Sequence, residues 1–82
     1  MNSKKIVILP RGLTFIGDLD LDGSDPFVKI VDAQCIIHWG TLRHVAELVH
    51  GPTAATALGE KRDVHVARAH IVAYYDCDEG KW

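Results

Sequence analysis

The sequence predicts a mainly β fold with one short helix, in the order β-β-β-α-β-β. Strand-like apolar patterns recur between turns that contain Gly and Pro, and only one segment has helical periodicity. The chain of 82 residues leaves room for one core, so we expect a single domain over residues 1–82. Its ordered core is expected at about residues 4–76, followed by a polar tail at residues 77–82. Because short connections favour antiparallel neighbours, we expect a small antiparallel barrel or a curved sheet with the helix packed on it.

The first three strands are predicted from apolar runs and alternation. Residues 4–9 form an apolar run that is typical of a strand buried on both faces, and Pro10 ends it. Residues 13–22 alternate between apolar and polar side chains, and Gly17 predicts a bend or a bulge in this strand. The third strand is expected at residues 27–39. Its predicted apolar face consists of Lys29, Val31, Ala33, Cys35, Ile37 and Trp39.

The helix is predicted where apolar residues begin to recur at a spacing of three or four. Thr41 is the expected N-cap residue, and Gly51 followed by Pro52 is a typical stop signal. One face of this helix should carry an apolar stripe that packs on the sheet. The stripe consists of Leu42, Val45, Leu48 and Val49.

The remaining elements are short. Residues 53–60 are small and irregular and predict a loop. Residues 63–66 and 70–75 are expected to form the last two strands.

Charge and composition argue against several classes of function. The formal net charge is −2 and both signs are spread along the chain, which does not resemble a basic surface for nucleic acid. No run approaches the roughly 18 apolar residues of a membrane-spanning helix. The apolar run at residues 6–9 is too short for a signal peptide. We therefore expect a cytoplasmic protein without a membrane partner, and nucleic acid is not the expected partner.

The small size of the chain predicts self-association. A chain of this length buries only about 60–65% of its unfolded surface, so its stability is marginal. Small scaffolds usually compensate with disulfides, a metal or oligomerisation. Cys35 and Cys77 are too few for a disulfide framework, and reduced thiols are expected. A homo-oligomer is therefore the expected form.

One spacing resembles a calcium site. Asp18, Asp20 and Asp22 followed by Gly23 copy the opening of an EF-hand loop, but Lys29 occupies the twelfth position, where a bidentate glutamate is needed. A solvated acidic strand edge explains these carboxylates better.

Histidines and cysteines form no convincing catalytic or metal-binding set. On the predicted helix, His50 lies about 120° around the axis from His44, so the two cannot converge with Glu47 on one ion. Cys35 is expected to be buried, and the acidic neighbours of Cys77 should raise the pKa of its thiol. We expect no catalytic residue, no metal and no cofactor, and the protein is not expected to be an enzyme.

The junction Trp39-Gly40-Thr41 is the strongest candidate for a binding site. A large aromatic residue ends a strand, and the expected helix N-terminus after it presents unpaired N–H groups that favour anions. Trp39 then either stacks on a ligand ring or fills the core between sheet and helix, and both interpretations stay open. Further ligand contacts are expected from Gly51, Arg11, Arg43, Arg62 and Arg68, the arginines because guanidinium groups match phosphate geometry.

A longer segment resembles a family of small phage and prophage proteins. Their shared motif reads A-x-x-I/L-x-x-W, then a turn with Gly, then L-x-E-L and a further Gly. The residues that match it are Ala33, Ile36, Trp39, Gly40, Glu47, Leu48, Gly51 and Pro52, with Val45 where Leu is expected. Residues 12–17 are similar to the family's Gly-x-x-x-x-Gly strand, and the resemblance extends over residues 11–76. It implies a phage-borne accessory protein in the host cytoplasm and transfers no mechanism.

A weaker likeness is to Sm-type small β-barrels. Residues 12–17 with the acidic hairpin and Asp32-Ala33 are similar to the first Sm motif, and residues 64–66 resemble the second. Arg68-Ala69 stands in place of the usual Arg-Gly, and the helix lies in the middle of the chain. This likeness implies a ring-forming nucleic-acid binder.

Three functions follow from these observations. The leading prediction is a non-enzymatic, homo-oligomeric binding module that sequesters a small ligand, with an anion among the candidates, or blocks a host protein. The alternatives are a virion or assembly component and an Sm-like nucleic-acid binder.

Overall fold

The computed structural model of the protein describes residues 4–41, 44–78 and 80–82. Within these ranges the chain forms six strands and three short 3-10 helices. The strands are β1 (Lys4–Ile8), β2 (Thr14–Leu19), β3 (Phe27–His38), β4 (Ala57–Leu58), β5 (Arg62–Ala67) and β6 (Ala73–Asp76). The helices are η1 (Pro10–Gly12), η2 (Val45–His50) and η3 (Arg68–His70). The predicted mainly β fold with one short helix is confirmed, and β4 is an additional strand in the segment for which the sequence predicts a loop.

The sheet is antiparallel and curled. Its order is β4-β3-β2-β1-β6, and β5 also pairs with β3. The strands β5 and β6 therefore lie at opposite ends of the order β5-β3-β2-β1-β6, yet only residues 68–72 separate them. The sheet curls around the buried cluster that Val7 of β1, Val28 of β3 and Val66 of β5 share. Among the described strands no ladder joins β5 to β6, and we call this unpaired line the seam.

Two clusters of buried side chains lie on opposite faces of the sheet. The strand β1 supplies Val7 to the first cluster and Ile6 to the second, both with no exposed surface. Successive residues of a strand point to opposite faces, so β1 is buried on both, as its apolar run predicts. The first cluster consists of Val7, Leu9, Leu19, Val28, Ile30, Ala33 and Val66. The second consists of Ile6, Ile16, Ile36, Val45 and Leu48.

The predicted apolar face of β3 is wrong. Before Asp32 the strand buries Val28 and Ile30, and after it Ala33 and Ile36. Asp32 has φ +52°, and the register against β5 shifts between Ile30 and Ala33. This bulge adds one residue, so the alternation changes phase along the strand. A strict alternation over all of residues 27–39 therefore places part of the strand on the wrong face of the sheet. Ile37 and Trp39 are exposed, at 68% and 38%.

A charged clamp holds this bulge. The Asp32 N–H donates to Asp63 Oδ1 at 3.0 Å, and Lys29 Nζ lies 3.3 Å from Asp63 Oδ2. The pKa of the Asp63 carboxyl is lowered from its usual value, chiefly because the Asp32 amide donates to it, with Lys29 adding to the effect. The exposed Asp63 carboxylate thus accepts a hydrogen bond from the Asp32 amide, which has no strand partner where the register shifts.

The bulge predicted at Gly17 is confirmed. The register of β2 against β3 shifts between Ile16 and Asp18. A Cβ atom on Gly17 would lie 2.6 Å from Ile30 Cγ2, so the close approach of the two strands here requires glycine.

The helix differs from its prediction in type and start. It is a six-residue 3-10 helix, Val45–His50, and its N-cap residue is His44 instead of Thr41. The His44 N–H donates to Glu47 Oε2 at 3.3 Å, and the Ala46 N–H donates to His44 Nδ1 at 3.0 Å. A histidine in the capping role is rare compared with Ser, Thr, Asp or Asn, which is why Thr41 is the residue that sequence rules select. Leu42 lies outside the described residues.

Candidate functional site

The predicted Trp39 junction is a shallow depression on the surface. It is lined by Ile37, His38, Trp39, Gly40 and Thr41 and has a volume of about 290 Å³. Trp39 is 38% exposed and is not among the residues of either core cluster. The sequence left open whether the Trp39 ring contacts a ligand or fills the core. Its partly exposed position fits a ligand contact better. We call this site the Trp39 depression.

The backbone beneath the ring is held in place by a turn that the sequence does not predict. Thr56 Oγ1 donates to the Trp39 carbonyl at 2.7 Å, and Thr53 Oγ1 donates to the Gly40 carbonyl at 2.8 Å. Gly40 has φ +69°, and a Cβ atom here would lie 2.5 Å from the Ala55 carbonyl carbon. Gly40 is therefore required both by its left-handed conformation and by the contact with residues 53–56. The backbone on this side of the depression is thus held by two side-chain hydrogen bonds.

Aromatic rings extend from the depression toward the sheet. The Trp39 and His44 ring centroids are 6.3 Å apart, and those of His44 and Tyr75 are 6.1 Å apart in an edge-on arrangement. Both distances lie within the range in which aromatic pairs attract. His44 thus caps η2 and links Trp39 to β6.

The helix does not begin directly after Thr41 as predicted. It begins at Val45 with His44 as its N-cap residue, and the Ala46 amide in its first turn donates to His44 Nδ1. Residues 42 and 43, which follow Thr41, lie outside the described residues. The predicted anion contact beside Trp39 therefore stays a prediction.

Arg68 has a structural role that the sequence does not reveal. Its Nε, Nη1 and Nη2 atoms donate to the carbonyls of Asp25, Leu21 and Gly23 at 3.1, 3.1 and 3.3 Å. The Arg68 N–H also donates to the Pro26 carbonyl at 2.8 Å. One guanidinium group thus fastens the β2–β3 turn to η3. The side chain is already occupied, so it does not offer a free anion contact.

The other predicted contacts are scattered. Arg62 donates to Glu60 Oε2 at 3.0 Å. Gly51 has φ +108° and lies against Lys81, where a Cβ atom would be 3.0 Å from the Lys81 carbonyl oxygen. Arg11 is exposed in η1 and has φ +65°. Arg43 lies outside the described residues. Of the eight residues predicted to bind ligand, three (Trp39, Gly40 and Thr41) line the same depression.

The described histidines and cysteines do not come together in one metal-binding group. His50 Nδ1 lies 2.6 Å from Asp78 Oδ2, which ties η2 to the chain after β6. The described residues contain no group of three His, Cys, Asp or Glu side chains that could hold a metal ion. Cys35 and Cys77 are free thiols. Burial raises the pKa of the Cys77 thiol to about 11, with a further contribution from Asp76 and Asp78.

Two more depressions mark the surface. One, of about 340 Å³, is lined by Phe15, Ala33, Cys35, Gly59, Glu60, Arg62 and Val64. The other lies at the seam, where the end of β5 faces η1, and has a volume of about 470 Å³. We call it the seam groove. It is lined by Leu9, Pro10, Leu13, Val66, Ala67 and His70. The sequence assigns Leu13 to a buried strand face, but Leu13 precedes β2 and is 45% exposed.

No helix in the described part of the chain has the length and apolar character needed to cross a membrane. Comparisons of the chain with protein-family models, with curated proteins and with solved structures found no match.

Proposed function

We propose that this protein is a non-enzymatic binding module that holds a small ligand with a planar ring in the Trp39 depression. The observation that carries the proposal is the position of Trp39, which is partly exposed over a depression and takes no part in either core cluster. A rigid aromatic face held by the Thr53 and Thr56 hydroxyl groups needs little ordering when it binds. Stacking against the ring is the main expected interaction, because the partly exposed indole lines the depression.

The first test separates a platform from a core residue. Replacing a fully buried Trp with Ala costs about 3–5 kcal/mol, and for the partly exposed Trp39 we expect less than about 2 kcal/mol from W39A. Urea denaturation measures this difference. A loss of 3–5 kcal/mol would show that Trp39 belongs to the core and would contradict the proposal.

The second test uses three probes and nuclear magnetic resonance. Adenosine monophosphate offers a ring and an anion, adenosine the ring, and inorganic phosphate the anion. The Trp82 indole N–H donates to the Leu48 carbonyl at 2.8 Å, so its signal is a fixed reference beside that of Trp39. We expect adenosine and adenosine monophosphate to shift the Trp39 signal, phosphate to leave it unchanged, and W39A to abolish binding. F27A, which removes an exposed aromatic ring elsewhere, is the matched control and should bind normally.

We further propose that the module self-associates through the outer edge of β6. The Cys77 N–H donates to the Lys4 carbonyl, so alternate residues of β6 turn their backbone groups toward β1 and leave those of Tyr74 facing outward. Tyr74 and the preceding Val72 are exposed at 44% and 65%. The Asp76 carboxylate is held by Lys5 Nζ at 2.6 Å, which reduces the charge along this edge.

The two sheet edges differ in their protection. Charged and polar side chains on an edge strand discourage pairing with another chain. On β5 the side chains of Arg62, Asp63 and His65 are exposed, whereas β6 presents Tyr74. Antiparallel pairing of β6 with β6 of a second copy gives a two-fold dimer, the commonest symmetric assembly.

Dilution experiments test the dimer. Native mass spectrometry and light scattering should show a dimer that dissociates on dilution, and Y74K should shift it to monomer. H65K on the edge of β5 is the control and should leave the dimer intact. A monomer at every concentration would contradict the edge-pairing proposal without affecting the Trp39 depression.

The phage-borne setting and the cytoplasmic location belong to the same proposal and rest on the sequence likeness. We do not extend the proposal to nucleic-acid binding, because Arg62 and Arg68 are already engaged with other groups of the chain.

A further inference from the structure

His44 joins the start of η2 to the Trp39 depression. Its backbone N–H donates to Glu47 Oε2 at 3.3 Å, and its Nδ1 atom accepts a hydrogen bond from the Ala46 N–H at 3.0 Å. The centroid of the same imidazole ring lies 6.3 Å from that of Trp39 and 6.1 Å from that of Tyr75. One side chain thus caps a helix and pairs with two aromatic rings, so the cap fixes the position of the imidazole beside Trp39.

The cap also determines the protonation state of the imidazole. A backbone N–H donates only to a ring nitrogen that carries no proton, so this contact assigns the ring proton of His44 to Nε2. The imidazolium form has no acceptor nitrogen, because both of its ring nitrogens are donors. Protonated His44 therefore cannot accept the Ala46 N–H, since two donors would then face each other. The charged ring has to leave the cap, and with it the position beside Trp39.

Solvent has access to this imidazole, because the His44 side chain is exposed. Histidine is the residue type that ordinarily changes charge between about pH 5 and 8. The groups that face His44 are the Glu47 carboxylate on η2 and the Tyr75 ring on β6. His38 is a second titratable side chain at the Trp39 depression. The charged groups of β1 and β6, which pack against η2, form the ion pairs Lys4–Asp18 and Lys5–Asp76.

We propose that neutral His44 positions the Trp39 indole for ligand binding and that protonation of His44 releases it. This inference rests on the proposed function for the ligand and adds the regulation of the same site. A ligand on Trp39 and a proton on His44 then oppose each other, because each favours a different arrangement of the imidazole. Since a single proton is involved, the affinity changes by at most about tenfold for each pH unit.

The positioning is tested first without ligand. In ¹⁵N-labelled protein the Trp39 indole signal and the His44 ring signals are followed from about pH 8 to about pH 5. We expect the Trp39 signal to move with the same midpoint as the His44 ring. The Ala46 amide signal should move with them, because this amide loses its acceptor. The Trp82 indole, which donates to the Leu48 carbonyl, should stay in place and shows that the fold is intact.

Two variants separate His44 from the other titratable groups. H44N keeps an acceptor at the N-cap, where Asn is a preferred residue, and does not titrate in this range, so its Trp39 signal should be independent of pH. H65N removes an exposed histidine of β5, outside the depression, and its Trp39 signal should titrate as in the parent protein. A Trp39 response that persists in H44N would point to His38 and would overturn the inference.

Adenosine binding then tests the regulation, because adenosine keeps its charge over this pH range. We expect its affinity for the parent protein to fall about fivefold or more between the upper and the lower pH, the lower end of typical couplings between two sites. H65N should show the same fall. H44N should bind adenosine more weakly than the parent protein at the upper pH, because the ring beside Trp39 is gone, and its affinity should be the same at both pH values.

The outcomes distinguish this inference from the proposed function. Failure of adenosine to bind at either pH would contradict the proposed function and with it the regulation, and the ligand-free titration would still show whether His44 positions Trp39. A Trp39 signal that stays constant while the His44 ring titrates would overturn the inference. Equal adenosine affinity of the parent protein at both pH values would also overturn it. So would movement of the Trp82 signal together with that of Trp39, which would show a change of the whole fold.

Discussion

Replacing Arg68 with Lys tests how much one guanidinium group contributes to the fold. The three nitrogens of Arg68 reach the carbonyls of Leu21, Gly23 and Asp25 at once, and a single ammonium group cannot copy this fork. We expect R68K to keep one of the three hydrogen bonds. Each lost bond from a charged donor is worth about 1.5–3 kcal/mol when buried. Since two of the three bonds are exposed to solvent, about 1 kcal/mol for each lost bond is the appropriate value.

The expected loss is therefore about 2 kcal/mol of unfolding free energy, or a fall in Tm of roughly 10 °C for a domain of this size. Urea denaturation followed by circular dichroism measures it, and the slope of the unfolding free energy against urea should stay unchanged. R62K is the matched control, because Arg62 contacts only the exposed Glu60, and it should change the stability by less than about 0.5 kcal/mol. Equal effects of R68K and R62K would refute the reasoning, because the three carbonyl contacts would then contribute nothing beyond an ordinary surface arginine.

Three further predictions concern single positions. G40A should lower the unfolding free energy by more than about 2 kcal/mol, because alanine is strained in the left-handed region and its Cβ would meet the Ala55 backbone. A Tm within about 2 °C of that of the parent protein in a thermal scan would contradict this. W82F keeps an aromatic ring, smaller than indole, and loses the N–H that donates to the Leu48 carbonyl. Urea denaturation should show a loss of at least about 1 kcal/mol, whereas no loss would mean that the hydrogen bond does not contribute to stability. The raised pKa of Cys77, about 11 against 9.0 for an unperturbed thiol, means that the folded state holds the proton more tightly, so the contribution of this thiol to stability should be constant below pH 9 and fall between pH 9 and 11. Alkylation of Cys77 by iodoacetamide, followed by peptide mass spectrometry, should stay slow until the pH nears 11, and a half-maximal rate near pH 9 would contradict the assigned burial.

The strand pattern was largely predictable from the sequence, because it depends on local signals. The apolar run before Pro10 is a local signal, and a glycine inside an alternating pattern marks a bulge even though the contact that requires Gly17 comes from β3. The faces of β3 were not predictable in this way. They change phase at Asp32, whose left-handed conformation is supported by Asp63, which lies far away in the sequence.

In the candidate site, too, local features were predictable from the sequence and long-range contacts were not. Trp39 and Gly40 were identified from their order in the chain, and they do line one depression. The role of Arg68 depends on three carbonyls more than forty residues away, and no spacing rule reveals it. The cap by His44 was missed because sequence rules favour hydroxyl and carboxylate side chains at this position.

The position of β1 between the two core clusters has a consequence for the order of folding. Both clusters need this strand, since Ile6 belongs to one and Val7 to the other. Its partner β6 is distant in sequence, and Lys5 meets Asp76 across a separation of 71 residues. During synthesis β1 leaves the ribosome before β6, and its apolar run stays without this partner until β6 has followed. Stable packing of either cluster is therefore expected late in folding. Strand pairs that are this far apart in sequence form slowly. In hydrogen exchange the amides of β1 should open only with global unfolding, and those of the short β4 well before it.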